Sequence, residues 1–83
     1  MKTVFKYRIE DGQLSLPSGA KFLKFDIQDE EFRAWFEIDP EEGNIKKRLF
    51  RVFRTGEKIS EDYHWLGTCL EGALVWHLYE AIL

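Results

Sequence analysis

The chain has 83 residues, a net charge of −3, 16% aromatic residues and one cysteine. That length makes one domain, residues 1–83, and a lone cysteine excludes an internal disulfide and suits a reducing compartment. The mild charge excludes a general attraction to nucleic acid or anionic membrane, and it falls short of the dense negative charge of a DNA mimic.

Lys2, Lys6 and Arg8 interrupt the N-terminus, so no signal peptide reads there. No run of about 18 apolar residues offers a membrane span. The expected location is the cytoplasm. A chain this short buries only a modest share of its surface, so its stability must come from an aromatic core or from self-association.

Short segments with a two-residue rhythm, separated by turn residues, predict an all-β fold: an antiparallel meander or open barrel of five to six strands. Thr3–Ile9 places Phe5, Tyr7 and Ile9 on one face, and Asp11-Gly12 signals a turn. Gln13–Leu16 reads as a short strand stopped by Pro17-Ser18-Gly19.

Phe22–Gln28 and Glu31–Ile38 form the best-determined pair. With Asp29-Glu30 at the tip, Ile27 meets Phe32, Phe25 meets Ala34 and Leu23 meets Phe36, so the apolar sets share a face. The other face pairs Asp26 with Arg33 and Lys24 with Trp35, a salt bridge and a cation–π contact. Asp-Glu lacks the glycine that two-residue turns prefer, but a four-residue loop over Gln28–Glu31 keeps the same register. Trp35 then lies among polar neighbours, either exposed beside Arg33 and Lys24 as an interface anchor, or covered by the terminal segment.

After the Asp39–Asn44 loop, Ile45–Thr55 is a basic strand with Phe50 and Val52 facing inward. Alternation divides its cations, with Lys46, Arg48 and Arg54 on one face and Lys47 and Arg51 on the other. Phosphate contact is one reading of these side chains; a solvated edge with gatekeeping charge is the other. Acidic loops flank the strand, which speaks against direct nucleic-acid binding.

The C-terminal stretch leaves two alternatives open. Thr68-Cys-Leu-Glu71 fits a helix capping box, with Leu70, Ala73, Leu74, His77, Leu78 and Ala81 along one helical face. Val75, Trp76 and Tyr79 favour a strand, and Glu71-Gly72 between two apolar runs predicts a hairpin tip. That register sets Gly67 opposite Trp76, Trp65 opposite Leu78 and Cys69 opposite Leu74, as a core-facing set. His64 and His77 then share the other face, with His64 opposite Tyr79.

This hairpin disfavours catalysis. A thiolate needs its base within hydrogen-bond reach, and Cys69 points away from both histidines. A zinc site needs three or four ligands, and the histidine face supplies no third. The loop-tip carboxylates are solvated rather than held in a desolvated pocket. No cofactor motif is present.

The order of motifs resembles a family of short proteins of tailed phages and prophages. The resemblance rests on Met1-Lys-Thr-Val-Phe-Lys-Tyr7, Leu16-Pro-Ser-Gly-Ala-Lys21 with Leu23, Trp35 ahead of Ile38-Asp-Pro40, Phe50-Arg-Val-Phe53 before Thr55-Gly56, Leu66-Gly-Thr68 and Leu74-Val-Trp-His-Leu-Tyr-Glu80. The chain departs from the pattern in its longer terminus, Ala81-Ile-Leu83, and in a shorter, more acidic Gln28–Glu31 turn. The resemblance implies a phage origin, a β-rich fold and no transferable catalytic residue.

The resulting expectation is a non-enzymatic accessory protein that binds and inhibits a host protein, most concretely a CRISPR effector or another defence component. Its candidate partner-binding residues are Lys24, Arg33, Trp35, Lys47, Arg48, Arg51, Arg54, His64, His77 and Tyr79. No metal or cofactor is expected, and a homodimer is compatible with the exposed edges of a small sheet. The alternatives are a module for nucleotides or other small anions, with Arg48, Arg51 and Arg54 reading phosphate, and a phage structural or assembly protein.

Overall fold

A computed structural model describes residues 1–82. It contains seven strands: β1 (Thr3–Arg8), β2 (Gly12–Pro17), β3 (Lys21–Gln28), β4 (Glu31–Ile38), β5 (Ile45–Arg54), β6 (Tyr63–Glu71) and β7 (Leu74–Ala81). All ladders are antiparallel. The all-β expectation holds, and the C-terminal helix alternative does not. Among the described residues no helix is long and apolar enough to cross a membrane.

The strands divide into a three-stranded sheet in the order β1-β4-β3 and a four-stranded sheet in the order β2-β5-β7-β6. A simple meander is excluded because the chain changes sheets between β1 and β2, between β2 and β3, and between β4 and β5. The first crossing is pinned at both ends. The Ile9 amide donates to the Phe32 carbonyl at 2.9 Å, and the Val52 amide donates to the Asp11 carboxylate at 2.9 Å.

Alternation explains the core between the sheets. On β4, Ala34, Phe36 and Ile38 point inward and are buried. Leu16, Phe50 and Leu78 come from the facing sheet, and each is almost completely buried. Full burial of such a side chain contributes about 1.5–3 kcal/mol. Edge-on aromatic contacts join the layers: Phe36 to Phe50 with ring centres 5.9 Å apart, and Phe32 to Trp76 at 5.3 Å.

The β3–β4 register follows the sequence from the tip through Lys24, with Ile27 opposite Phe32, Phe25 opposite Ala34 and Lys24 opposite Trp35. It departs at Leu23. A bulge there leaves Leu23 unpaired, and Phe22 rather than Leu23 meets Phe36. Phe22 fills the interior while Leu23 remains exposed. The tip is a two-residue turn in which Asp29 and Glu30 take φ of 54° and 65°. This is the left-handed pair of a type I′ turn, formed without glycine.

The β6–β7 tip is Gly72-Ala73, one residue beyond the expected position, since Glu71 pairs with Leu74. Gly72 has φ of 57°, and Ala73 is not among the residues of positive φ. That combination is the pattern of a type II′ turn with glycine first. The correction shifts every expected pair. Cys69 faces Trp76, Gly67 faces Leu78 and Thr68 faces His77. The shift is by two, so Cys69 stays on the core face.

A second bulge falls at Leu66, between the pairs Trp65–Tyr79 and Gly67–Leu78. One extra residue reverses the facing of everything before it. Trp65 therefore leaves the core side, where alternation had placed it, and is 57% exposed. Gly67 sits where β3 and β6 approach most closely. A Cβ there would lie 3.0 Å from the Phe22 ring and 3.3 Å from Phe25 Cβ, so a larger residue would have to push those neighbours aside.

Candidate functional site

The expected partner-binding residues fall into three separate places. Lys24, Arg33 and Trp35 lie on the outer face of the three-stranded sheet. Lys47, Arg51, His77 and Tyr79 lie on the outer face of the four-stranded sheet, across the molecule. Arg48 and His64 belong to the inner side of that sheet, around Glu80, and Arg54 lies apart from all three groups at the end of β5, beside Glu57.

Arg48 is not available to a ligand. It shares its parity with Phe50 and Val52, so alternation turns it inward. Its Nε and Nη2 donate to Glu80 Oε2 and Oε1 at 2.5 and 2.7 Å, and Nη1 donates to the Ala20 carbonyl at 2.7 Å. Its guanidinium lies 5.5 Å from the Phe36 ring centre and 5.6 Å from that of Phe50. Each guanidinium nitrogen donates one bond, which makes Arg48 a structural strut. Arg51 and Arg54 both lie near Glu57, at 3.9 and 3.7 Å, on an exposed edge. The three arginines do not converge, so the geometry does not favour the phosphate-reading alternative.

The leading bulge also separates the histidines, which the expected register had put on one face. His64 pairs with Glu80, and its Nε2 lies 3.9 Å from that carboxylate. His77 faces the opposite way. His64 now shares a face with Cys69, but four ladder steps separate them, about 13 Å at 3.3 Å per residue. No thiol–imidazole contact forms. Burial, then the nearby Asp26 and Glu71 carboxylates, push the Cys69 thiol up to about 11. That is the opposite of an activated nucleophile. Among the described residues no group of three or more His, Cys, Asp or Glu side chains could hold a metal.

His77 belongs to a chain of hydrogen bonds. Trp65 Nε1–H donates to Thr68 Oγ1 at 2.9 Å, and Thr68 Oγ1 lies 3.0 Å from His77 Nδ1. On the other side, His77 Nε2 lies 2.9 Å from Thr55 Oγ1, whose hydroxyl reaches the Val75 carbonyl at 3.4 Å. A carbonyl only accepts, so Thr55 donates to it and receives from Nε2–H. Thr68 then donates to Nδ1. The chain then runs in one direction, from the Trp65 indole to the Val75 carbonyl. Beside it, Phe53 is buried beneath Arg51, Tyr63 and Tyr79. This face is internally satisfied.

The outer face around Trp35 is different. Trp35 sits at the middle of β4, which is paired on both sides, and its backbone partners are Lys6 on β1 and Lys24 on β3. The Trp35 indole is half-buried, and Lys24 Nζ lies 5.6 Å from its centre, a weak cation–π contact. Arg33 stands opposite both Arg8 and Asp26. The expected Asp26–Arg33 salt bridge is not made. Asp26 bridges Lys24 at 3.5 Å, while Arg33 bridges Glu31 at 3.0 Å. Glu31 also reaches Arg8 at 3.6 Å, so one carboxylate separates two facing guanidiniums. Lys2 pairs with Glu37 at 3.4 Å. Buried Arg33 Nε has no acceptor among the described residues, an uncompensated donor of a kind that native folds seldom keep.

The Trp35 surface is therefore a rigid aromatic anchor inside a ring of mixed charge. Trp35, Lys24 and Arg33 were legible in the sequence; Lys6 and Arg8 were missed. The signal for them was the parity of β1, which sets Lys6 and Arg8 opposite Phe5 and Tyr7.

Compared with known protein families, the chain matches one model, a domain of unknown function (DUF7352), over residues 1–82. The chain belongs to that family. No curated protein and no solved structure matches it.

Proposed function

We propose that this member of the DUF7352 family is a non-catalytic accessory protein that binds and inhibits a host protein through the Trp35 face. The observation that carries the reading is an indole on a doubly paired central strand, flanked by Lys6 and Lys24. Tryptophan is enriched in interface hot spots, and an indole supplies a large contact area at little entropic cost. An anchor on the middle strand is already held in place, so binding loses little freedom there.

Charge pattern favours a protein over a nucleic acid. Glu31, Glu37 and Asp26 alternate with the cations on the same face. They would repel a continuous phosphate backbone, whereas a protein surface can mirror both signs. The buried, protonated state of Cys69 supports the absence of thiol chemistry. The host target is a defence component, most concretely a CRISPR effector, in line with the resemblance to short phage and prophage proteins.

The test is infection of bacteria carrying an active CRISPR system. Cells expressing the wild-type chain regain sensitivity to a targeted phage, and cells expressing Trp35→Ala at equal level stay protected. Protection that is unchanged by the wild-type chain, across hosts with different defence systems, would remove the inhibitory reading.

A further inference from the structure

We propose that the chain forms a two-fold homodimer by antiparallel pairing of β6 with β6 of a second copy. The inference does not depend on the Trp35 face, which lies on the other sheet.

A sheet edge presents unpaired amides and carbonyls, and folded proteins blunt such edges with charge, proline or short length. Three of the four edges here are managed. β1 carries Lys6 and Arg8, and β3 carries Lys21, Lys24 and Asp26. β2 is six residues long and ends in Pro17. β6 is different. It is nine residues long and holds no Lys, Arg, Asp or Glu before its last residue, Glu71. It also presents Trp65 at 57% and Leu70 at 70% exposure. Its one guard is the Leu66 bulge, and an apolar edge of this length invites pairing with another strand.

Self-pairing fits the side chains. The Leu66 bulge resets the alternation, so Trp65, Thr68 and Leu70 share the outer face while His64, Gly67, Cys69 and Glu71 share the inner one. A two-fold axis at Thr68 then matches like faces throughout. Thr68 meets its own copy, Trp65 covers the partner's Leu70, and His64 faces the partner's Glu71. Each of the last two contacts occurs twice by symmetry. An aromatic over an aliphatic side chain and an imidazole opposite a carboxylate are favourable cross-strand neighbours, while each Thr68 hydroxyl keeps its own bonds to Trp65 and His77. A register moved by one residue would set apolar side chains against the opposite face and lose both contacts. The result is a continuous eight-stranded sheet with closed symmetry.

The experiment is sedimentation equilibrium combined with site-directed cross-linking. The wild-type chain is expected at twice its 9.9 kDa mass, with dissociation on dilution. Leu70→Lys changes a side chain already exposed, so the fold is kept, and it places on the edge the kind of charge that folded proteins use to block strand pairing. Its dimer dissociation constant should rise about tenfold or more. Directly opposed residues in an antiparallel pair have Cα atoms roughly 4.5–5.5 Å apart, within disulfide range. Thr68→Cys in a Cys69→Ser background should therefore oxidise to a covalent dimer without denaturant, and Lys58→Cys in the same background should not. A wild-type chain that stays monomeric at its highest soluble concentration would overturn the proposal. So would a dimer that Leu70→Lys leaves intact, or a folded Thr68→Cys variant that fails to cross-link.

Discussion

Arg48 and Glu80 meet inside the sandwich in a two-point ion pair, at 2.5 and 2.7 Å, with the Ala20 carbonyl taking a third bond. The pair ties β5 to β7 and reaches across to Ala20, the residue before β3. Removing one partner of a buried pair leaves the other charge unmatched, which typically costs about 3–5 kcal/mol. Glu80→Ala should approach that cost in urea unfolding. The double change Arg48→Met with Glu80→Leu should cost less than Glu80→Ala alone, because no orphan charge remains. A single variant within about 1 kcal/mol of wild type would show that water reaches the pair.

The β3–β4 tip stores strain. Asp29 and Glu30 both hold left-handed backbone, and a non-glycine residue there costs about 1–2 kcal/mol. Asn-Gly is the preferred pair for this turn. Replacing Asp29→Asn and Glu30→Gly together should stabilise the domain by about 1 kcal/mol, seen as a Tm rise of about 4–8 °C. An unchanged or lower Tm would place the strain elsewhere.

Cys69 gives a dependence on alkaline pH. Burial raises its thiol to about 11, above an unfolded value of about 8.5. The fold therefore favours the protonated form. That stabilisation is complete below the unfolded value and is lost as pH rises through the folded one. The stability difference between wild type and Cys69→Ala should shrink across that window. At pH 8, a thiol reagent should label the native chain slowly and the urea-unfolded chain fast. Rapid native labelling would contradict the buried, protonated thiol.

What could be read before the fold was known depended on how many constraints each strand carried. β3 and β4 were legible because both faces restricted the register: apolar residues on one, Asp26, Lys24, Arg33 and Trp35 on the other. The strand character of β6 and β7 was legible too, along with the inward thiol. The bulges at Leu23 and Leu66 were not. Each depends on the close approach of β3 and β6, where Phe22 lies against Gly67, and no local pattern encodes a contact between strands so far apart in the chain. Missing the Leu66 bulge misplaced Trp65 and joined two histidines that face apart. Arg48 was a different kind of miss. Its parity with Phe50 and Val52 marked it as inward, but its partner Glu80 lies two strands away in sequence.

The two surfaces can be separated by variants that leave the core alone. Trp35→Ala and Lys24→Glu should abolish partner binding and preserve self-association. Leu70→Lys should do the reverse unless the partner requires a dimer. Gel filtration beside binding by surface plasmon resonance distinguishes these outcomes. A Trp35→Ala chain that binds with wild-type affinity would show that the anchor lies elsewhere.

The most direct measurement is quantitative mass spectrometry of proteins retained from host lysate by immobilised wild-type chain, Trp35→Ala and Leu70→Lys in parallel. The expected result is one host protein enriched by the wild type and lost with Trp35→Ala, a substitution whose hot-spot cost of about 2 kcal/mol or more lowers affinity roughly 30-fold. Identical retained proteins for wild type and Trp35→Ala, or none above background for either, would contradict binding through the Trp35 face.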